Sequence, residues 1–245
     1  MLLSIVECSN YKNYSKKSPP PKRNQVGIDV EIIGPVYAEN VAAMRNIGAE
    51  MAKGEWIFFK DSDCDIPVEE IKAILVDAPK VDAIGGLYKT ENSNYLGQAY
   101  HRIQKQWVMQ GLDFIRRDRH LLGGALLVKK DAFKQIGGFN REIGWGGEET
   151  EFVSKMHELG FKTEVDYRLQ VKHDKKMTWK GFLKRAWFQN FNHLYYNIKD
   201  NGNGSAFSYL KTSPKYILPV LVFFSFAFMG RLTGWFCRTL EGRRK

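Results

Sequence analysis

The sequence predicts an α/β domain on a mixed, mostly parallel sheet flanked by helices, with C-terminal amphipathic and hydrophobic helices. Three observations carry this. Short apolar runs (LLSIVE at 2–7, EWIFFKD at 55–61, VDAIGGLY at 81–88) alternate with stretches of helical periodicity, as strand–helix–strand units require. The most apolar of these strands ends on carboxylates: FFKDSDCDIP (58–67) sets Asp61, Asp63 and Asp65 within five positions. In such sheets ligands bind beyond the carboxyl ends of strands. Charge is also uneven. The net charge is +10, yet residues 172–245 hold 14 Lys and Arg against 3 Asp and Glu, and residues 1–171 hold 23 against 24. A basic end on a balanced domain points to an anionic surface, lipid or nucleic acid.

The elements follow in order. Leu2–Glu7 reads as a short buried strand, 10–27 as a polar loop containing SPPPKR, and Asp29–Ile33 as a second strand. In AENVAAMRNIGAEMAKG (38–54), Val41, Met44, Ile47, Gly48 and Met51 recur at helical spacing, and Gly54 is a stop. Pro67 opens a helix over IKAILVDA, with Asp65 placed to cap it. Residues 97–115 read as helix, LLGGALLVKK (121–130) as a buried strand, and DAFKQIGGF as a short helix ending in glycines. GGEETEFVSKMHELGF (146–161) reads as a helix opened by acids that suit its dipole. KTEVD and LQVKH read as two short strands.

With 245 residues, 44% of them hydrophobic, the chain can bury one sizeable core. Cys8, Cys64 and Cys237 are scattered without C-x-x-C spacing, which argues against a disulfide framework or a thiolate zinc site. MLLSIVECSN lacks the charged leader and long apolar run of a signal peptide, so the expectation is a catalytic face in the cytosol.

Three readings compete for DSDCD. An EF-hand loop needs Gly at position six and Glu at twelve, where this chain has Ile66 and Lys72. A solvated, helix-capping turn is the plain reading and suits Asp65. The third is a divalent-metal and diphosphate site, since hard cations take carboxylate oxygens and Mg²⁺ often needs only one or two plus substrate phosphates. GGEET is open in the same way, between a dipole-favoured helix start and a pair of acids for proton transfer.

The ordered set of motifs resembles the family-2 glycosyltransferases with the GT-A fold. The resemblance rests on MRNIGAEMAKGEWIFFKDSDCDIP, matching at Arg45, Asn46, Gly48, Gly54, Glu55, Trp56, Asp61, Asp63 and Pro67, and on LLGGALLVKKDAFKQIGGFNREIGWGGEETEF, together covering roughly 30–190. It implies that Asp61 and Asp63 bind the nucleotide and a divalent metal (Mn²⁺ or Mg²⁺), with Arg45 and Glu7 also on the nucleotide-sugar side. It implies that Glu148 and Glu149 stand at the catalytic acid pair, with Glu149, where the family has Asp, as general base. It implies that Trp145 lines the acceptor pocket, although a half-buried core Trp is the equal alternative. It implies that His173 approaches the metal or diphosphate, where a lone His is more often structural, and that Lys184 and Arg185 face the diphosphate, where the plain reading is a solvated helix face. The family's first strand–helix–strand unit is shortened here, with a polar stretch between Leu2–Glu7 and the next strand.

These readings divide the chain into a domain at 1–177, an amphipathic helix at 178–200, a linker at 201–213 that includes NGNGS, and a hydrophobic segment with a basic tail at 214–245. In 178–200, Trp179, Phe182, Leu183, Ala186, Trp187, Phe191, Leu194, Tyr195 and Ile198 form a wide apolar stripe that either docks on the domain or lies in a membrane interface. YILPVLVFFSFAFMG (216–230) is uncharged but shorter than the roughly 20 residues of a span. With basic residues on both flanks, a monotopic or re-entrant hairpin aided by Pro219 is expected at the cytoplasmic face of a membrane. No zinc pattern, RNP-like run or P-loop appears, so no nucleic-acid partner is expected. The function expected is metal-dependent, inverting transfer of a sugar from a nucleotide-diphosphate sugar to a hydroxyl acceptor, glycan or lipid-linked. The alternatives are an inactive membrane-associated nucleotide-sugar binding protein and a sugar-1-phosphate nucleotidyltransferase.

Overall fold

The structure is a computed structural model that describes residues 1–9, 27–77, 80–113, 121–144, 146–196 and 214–242. The polar stretch at 10–26, the linker at 201–213 and Trp145 lie outside the described residues, as do 197–200 of the amphipathic stretch.

Seven strands among the described residues form one sheet: β1 (Leu2–Cys8), β2 (Asp29–Val36), β3 (Trp56–Asp61), β4 (Cys64–Asp65), β5 (Ala83–Lys89), β6 (Leu126–Lys129) and β7 (Thr163–His173), in the order β2-β1-β3-β6-β5-β7-β4. β1 runs parallel to β2 and β3, and β5 parallel to β7. β6 is antiparallel to both of its neighbours, and β4 to β7. The sheet is therefore mixed, as expected. Because β1, β3, β5 and β7 point the same way, their carboxyl ends share one edge.

Helix α1 (Val41–Met51) begins at Asn40, whose Oδ1 accepts from the Ala43 N–H at 2.9 Å and satisfies one open donor of the first turn. Gly48 lets α1 lie on Val6 of β1, where a Cβ would collide with that side chain. Two residues before Gly48, Asn46 bonds both ways with the backbone of Phe139, donating to its carbonyl at 2.8 Å and accepting from its N–H at 2.9 Å. Phe139 follows helix α4 (Lys130–Ile136), which ends at left-handed Gly137. Phe59, Phe133, Phe139 and Phe152 stack into the core behind this tie.

Three expectations for the sheet domain change. Asp65 does not cap α2 (Val68–Val76). It pairs in β4 with Lys172, and Pro67 occupies the cap position without a side-chain bond. KTEVD and LQVKH form one strand, β7. Gly85 lies opposite Val165 but Leu87 opposite Gln170, so a bulge at 166–169 interrupts the alternation and leaves adjacent Tyr167 and Arg168 exposed. In 121–130 only Leu126–Lys129 is strand, and Gly123–Ala125 forms a 3₁₀ turn.

A second apolar layer joins α3 (Tyr95–Asp113), α6 (Trp179–Tyr195) and α7 (Ile217–Gly242) around Tyr100, Phe182 and Phe223. α7 is one continuous helix through Arg231, with Pro219 in its first turn, so the expected re-entrant hairpin is not formed. Arg231 is accommodated because its Nε donates to Asn190 Oδ1 at 3.0 Å. Phe182 meets Phe223, Trp187 meets Thr233 and Tyr195 meets Glu241, so α6 and α7 run parallel. Gly230 and Gly234 allow the close approach: a Cβ on Gly234 would stand 2.5 Å from the Phe191 carbonyl oxygen, and one on Gly230 would overlap Trp187. Gly234→Leu is expected to cost about 1–3 kcal/mol by forcing the two backbones apart. Thermal unfolding checks this, and an unchanged melting temperature would refute the contact.

Candidate active site

The carboxyl ends of β1, β3, β5 and β7 and the glycine approach to β6 surround a cavity of about 420 Å³. Helices α1, α3, α5 (Glu148–Glu158) and α6 close its sides.

Arg45 is its structural centre. The guanidinium is 3% exposed, with Nη2 3.2 Å from Asp61 Oδ1 and Nη1 2.9 Å from Glu148 Oε1. It also lies 5.3 Å from the centroid of the Phe139 ring. Burial works against its charge, but Asp61 and Glu148 prevail and raise its pKa further, so Arg45 stays charged. Gly123 passes so close that a Cβ would sit 2.5 Å from Arg45 Nη1, and one on Gly124 would sit 2.8 Å from Asp61 Oδ2. These approaches explain why the expected strand gives way to a glycine turn there.

Beside this pair, Asp63 is about half exposed, with Oδ2 2.7 Å from Lys175 Nζ and 3.4 Å from His173 Nε2. Burial opposes its charge, but His173 and Lys175 outweigh it and hold the carboxyl below the usual range. His173 is buried at the end of β7, its ring 4.4 Å from Tyr88 and 5.1 Å from His101, and neither ring nitrogen has a hydrogen bond. Asp63, His173 and Cys64 bring ligand-type atoms within 4.8 Å of one another. Burial raises the Cys64 thiol well above its ordinary range; of the three, Asp63 and His173 are the harder donors that could hold a divalent cation. An ionised carboxylate beside a buried imidazole suits a divalent cation.

Across the cavity, α5 starts after left-handed Gly146 and Gly147, as the acidic glycine motif suggests. Glu148 spends one oxygen on Arg45, and its other oxygen is buried without a partner. Glu149 Oε2 is likewise enclosed and unpartnered. Desolvation, then the neighbouring Glu148 charge, pushes Glu149 up to about 8.

Of the residues the sequence singles out, the cavity gathers Arg45, Asp61, Asp63, Glu148, Glu149, His173 and Arg185. Lys184 is not in its lining; it is exposed, 5.6 Å from the Phe188 ring. Glu7 pairs with Lys60 at 2.9 Å and is not in the lining either. Trp145 lies outside the described residues. Sequence reasoning missed Lys175, Tyr88, Tyr100, Gln104 and Gln189. Lys175 had a signal, since HDKK follows a strand at the ligand-binding edge. The others sit on helical or strand patterns that read as ordinary packing.

Parts of the chain are similar to known proteins. Residues 106–178 match the family model described as the N-terminal domain of galactosyltransferase. The Drosophila melanogaster protein described as "Putative polypeptide N-acetylgalactosaminyltransferase 13" is 22% identical over 196 residues, covering 63% of this chain and 35% of that protein. Among solved structures, the mannosyltransferase PcManGT of Pyrobaculum calidifontis, in complex with GDP-Man and Mn²⁺, is 13% identical with a TM-score of 0.49, over 84% of this chain and 55% of that one. GalNAc-T7 with UDP, GalNAc and Mn²⁺ is 14% identical with a TM-score of 0.40, over 69% of this chain and 39% of that one. The chain thus spans about a third of the length of its curated relative. It is similar to glycosyltransferases, as its motifs lead one to expect.

Two outcomes follow from the electrostatics. Arg45→Met leaves Glu148 buried without its partner and should cost about 3–5 kcal/mol in denaturant unfolding; a loss below 1 kcal/mol would refute the bridge. Glu149 keeps its proton to about pH 8 when folded but releases it near 4.5 when unfolded. Its stabilisation is therefore complete below pH 4.5 and is lost as pH rises through about 8. Unfolding free energies between pH 5 and 9 should decline in the parent and decline less in Glu149→Gln; parallel profiles would rule this out.

Proposed function

We propose that this chain transfers a sugar, with inversion, from a nucleotide-diphosphate sugar to a hydroxyl acceptor, with a divalent metal. The observation that supports this most is the gathering, around one cavity, of the Asp63–His173 pair and the Glu148–Glu149 pair. Asp63 and His173, with Asp61, are the residues that would hold Mn²⁺ or Mg²⁺. Bound there, the cation would neutralise charge on the leaving diphosphate. Lys175 keeps Asp63 ionised and adds positive charge to that wall. Arg185, whose charge is favoured by Tyr100, Asp63 and Asp61 against the cost of burial, adds more from α6. Glu149 takes the acceptor hydroxyl's proton. Its raised pKa makes it a strong base once ionised, and a positioned base contributes about 10²–10⁴-fold. Glu148, tied to Arg45, fixes the start of α5 and therefore the position of Glu149. The family match and the curated relative support glycosyl transfer as the reaction class.

The deciding experiment is isothermal titration with UDP and GDP, with and without Mn²⁺. Metal-dependent binding of one of them is expected, and its loss in Asp63→Ala; binding indifferent to Mn²⁺ would refute the ligand role. Glu149→Gln should retain nucleotide binding and lose turnover by about 10²–10⁴-fold; undiminished transfer would exclude it as base.

The reading extends to a membrane surface. α7 is long and apolar enough to cross a bilayer, with a third of its apolar window buried in the protein. Leu218, Leu221, Phe228, Met229, Leu232, Trp235, Phe236 and Leu240 form an exposed stripe at helical spacing, and Trp187 and Phe188 of α6 are also exposed. The opposite face, with Val220, Phe223 and Ala227, is packed on α3 and α6, which supports a helix lying against a membrane surface rather than crossing it. Phe228→Glu with Trp235→Glu should abolish sedimentation with anionic liposomes; a double variant that still sediments would refute the surface.

A further inference from the structure

The wall formed by α3 and α6 carries polar groups of which the roles above use only Arg185. Gln104, 8% exposed, lines the cavity from α3, and its Oε1 is buried without a hydrogen-bond partner. Gln189 lines it from α6. Its Nε2 donates to the Tyr100 hydroxyl at 3.0 Å, while its Oε1 is buried and unpartnered. Gln189 also lies against the loop that enters α5, since a Cβ on Gly146 would stand 2.7 Å from Gln189 Cγ. The wall therefore adjoins the glutamate pair. Arg185, 5.4 Å from the Tyr100 ring centroid, completes it.

Buried polar atoms normally have partners, so two orphaned amide oxygens on one cavity wall call for a ligand. Their chemistry restricts which one. Amide oxygens repel phosphate oxygens, and a hard cation finds better ligands in the carboxylates. A hydroxyl both donates and accepts, and so matches an amide at either end. Several hydroxyls on one rigid ring match two amides, a phenol and a guanidinium. We infer that Gln104 and Gln189, with Tyr100 and Arg185, form a subsite that reads the hydroxyls of a sugar ring. This rests on the glycosyltransferase reading. The ring is that of the donor or of the acceptor, and the test separates the two.

Gln104→Leu and Gln189→Leu are titrated with UDP, GDP, UDP-glucose, UDP-N-acetylgalactosamine and GDP-mannose in Mn²⁺, and assayed with p-nitrophenyl glycosides as acceptors. Affinity for the bare nucleotide is expected to be unchanged, which also reports correct folding. Loss of about ten- to a hundredfold in affinity for the sugar conjugate alone assigns the donor ring. Unchanged conjugate affinity and unchanged hydrolysis of the conjugate in water, with a similar loss of transfer, assigns the acceptor ring. Variants that bind nucleotide but match the parent in both respects would overturn the subsite and leave the function standing. Failure of the parent to bind any nucleotide would overturn the function, and the subsite with it.

Discussion

A buried guanidinium between two carboxylates organises this molecule. Arg45 comes from α1, Asp61 from the end of β3 and Glu148 from the start of α5, three elements far apart in sequence. Taking that charge from water is costly unless its partners are fixed. The surroundings are arranged accordingly. Phe139 lies beside the guanidinium, Asn46 pins the backbone of Phe139, and two glycines give the β6 turn room to pass. Motif residues that stand far apart in the sequence thus share one electrostatic task.

That arrangement divides the carboxylates. Asp61 and Glu148 are tied to Arg45. Asp63 and Glu149 are left facing the cavity in opposite electrostatic environments. A lysine and a histidine keep Asp63 ionised, while desolvation and a like charge hold the proton on Glu149. Carboxyl groups whose pKa values are driven apart in one site are how proteins separate a charge-binding role from a proton-transfer role. The two-residue offset between Asp61 and Asp63, and the single-residue offset between Glu148 and Glu149, are enough to make the difference.

Much of this was legible in the sequence. The alternation of apolar strands and periodic helices gave the mixed sheet, and carboxylates after WIFF located its ligand edge. The acidic glycine motif gave the start of α5. Local patterns failed where long-range geometry decides. Asp65 looks like a cap, but the antiparallel β4–β7 pairing claims it. The bulge at 166–169 looks like a strand break because exposed Tyr167 and Arg168 are adjacent. Gln104 and Gln189 carry no signal, since an amide on a helix reads as surface until its neighbours are known. That a helix continues through Arg231 carries no local signal either, because its partner, Asn190, lies 41 residues away on α6.

α6 joins the two functional regions. One face supplies Arg185 and Gln189 to the cavity, and its Asn192 donates to the Gly146 carbonyl at 2.9 Å, holding the loop before the glutamates. Its other face is held to α7 through Gly230, Gly234, Thr233 and Glu241. A helix gripped on both sides cannot turn without disturbing both. The apolar stripe of α7 and the glutamate pair are therefore fixed in relative orientation by one rigid rod. If that stripe lies on a membrane, the depth and angle of the cavity mouth are set by the packing of two glycines against a helix backbone.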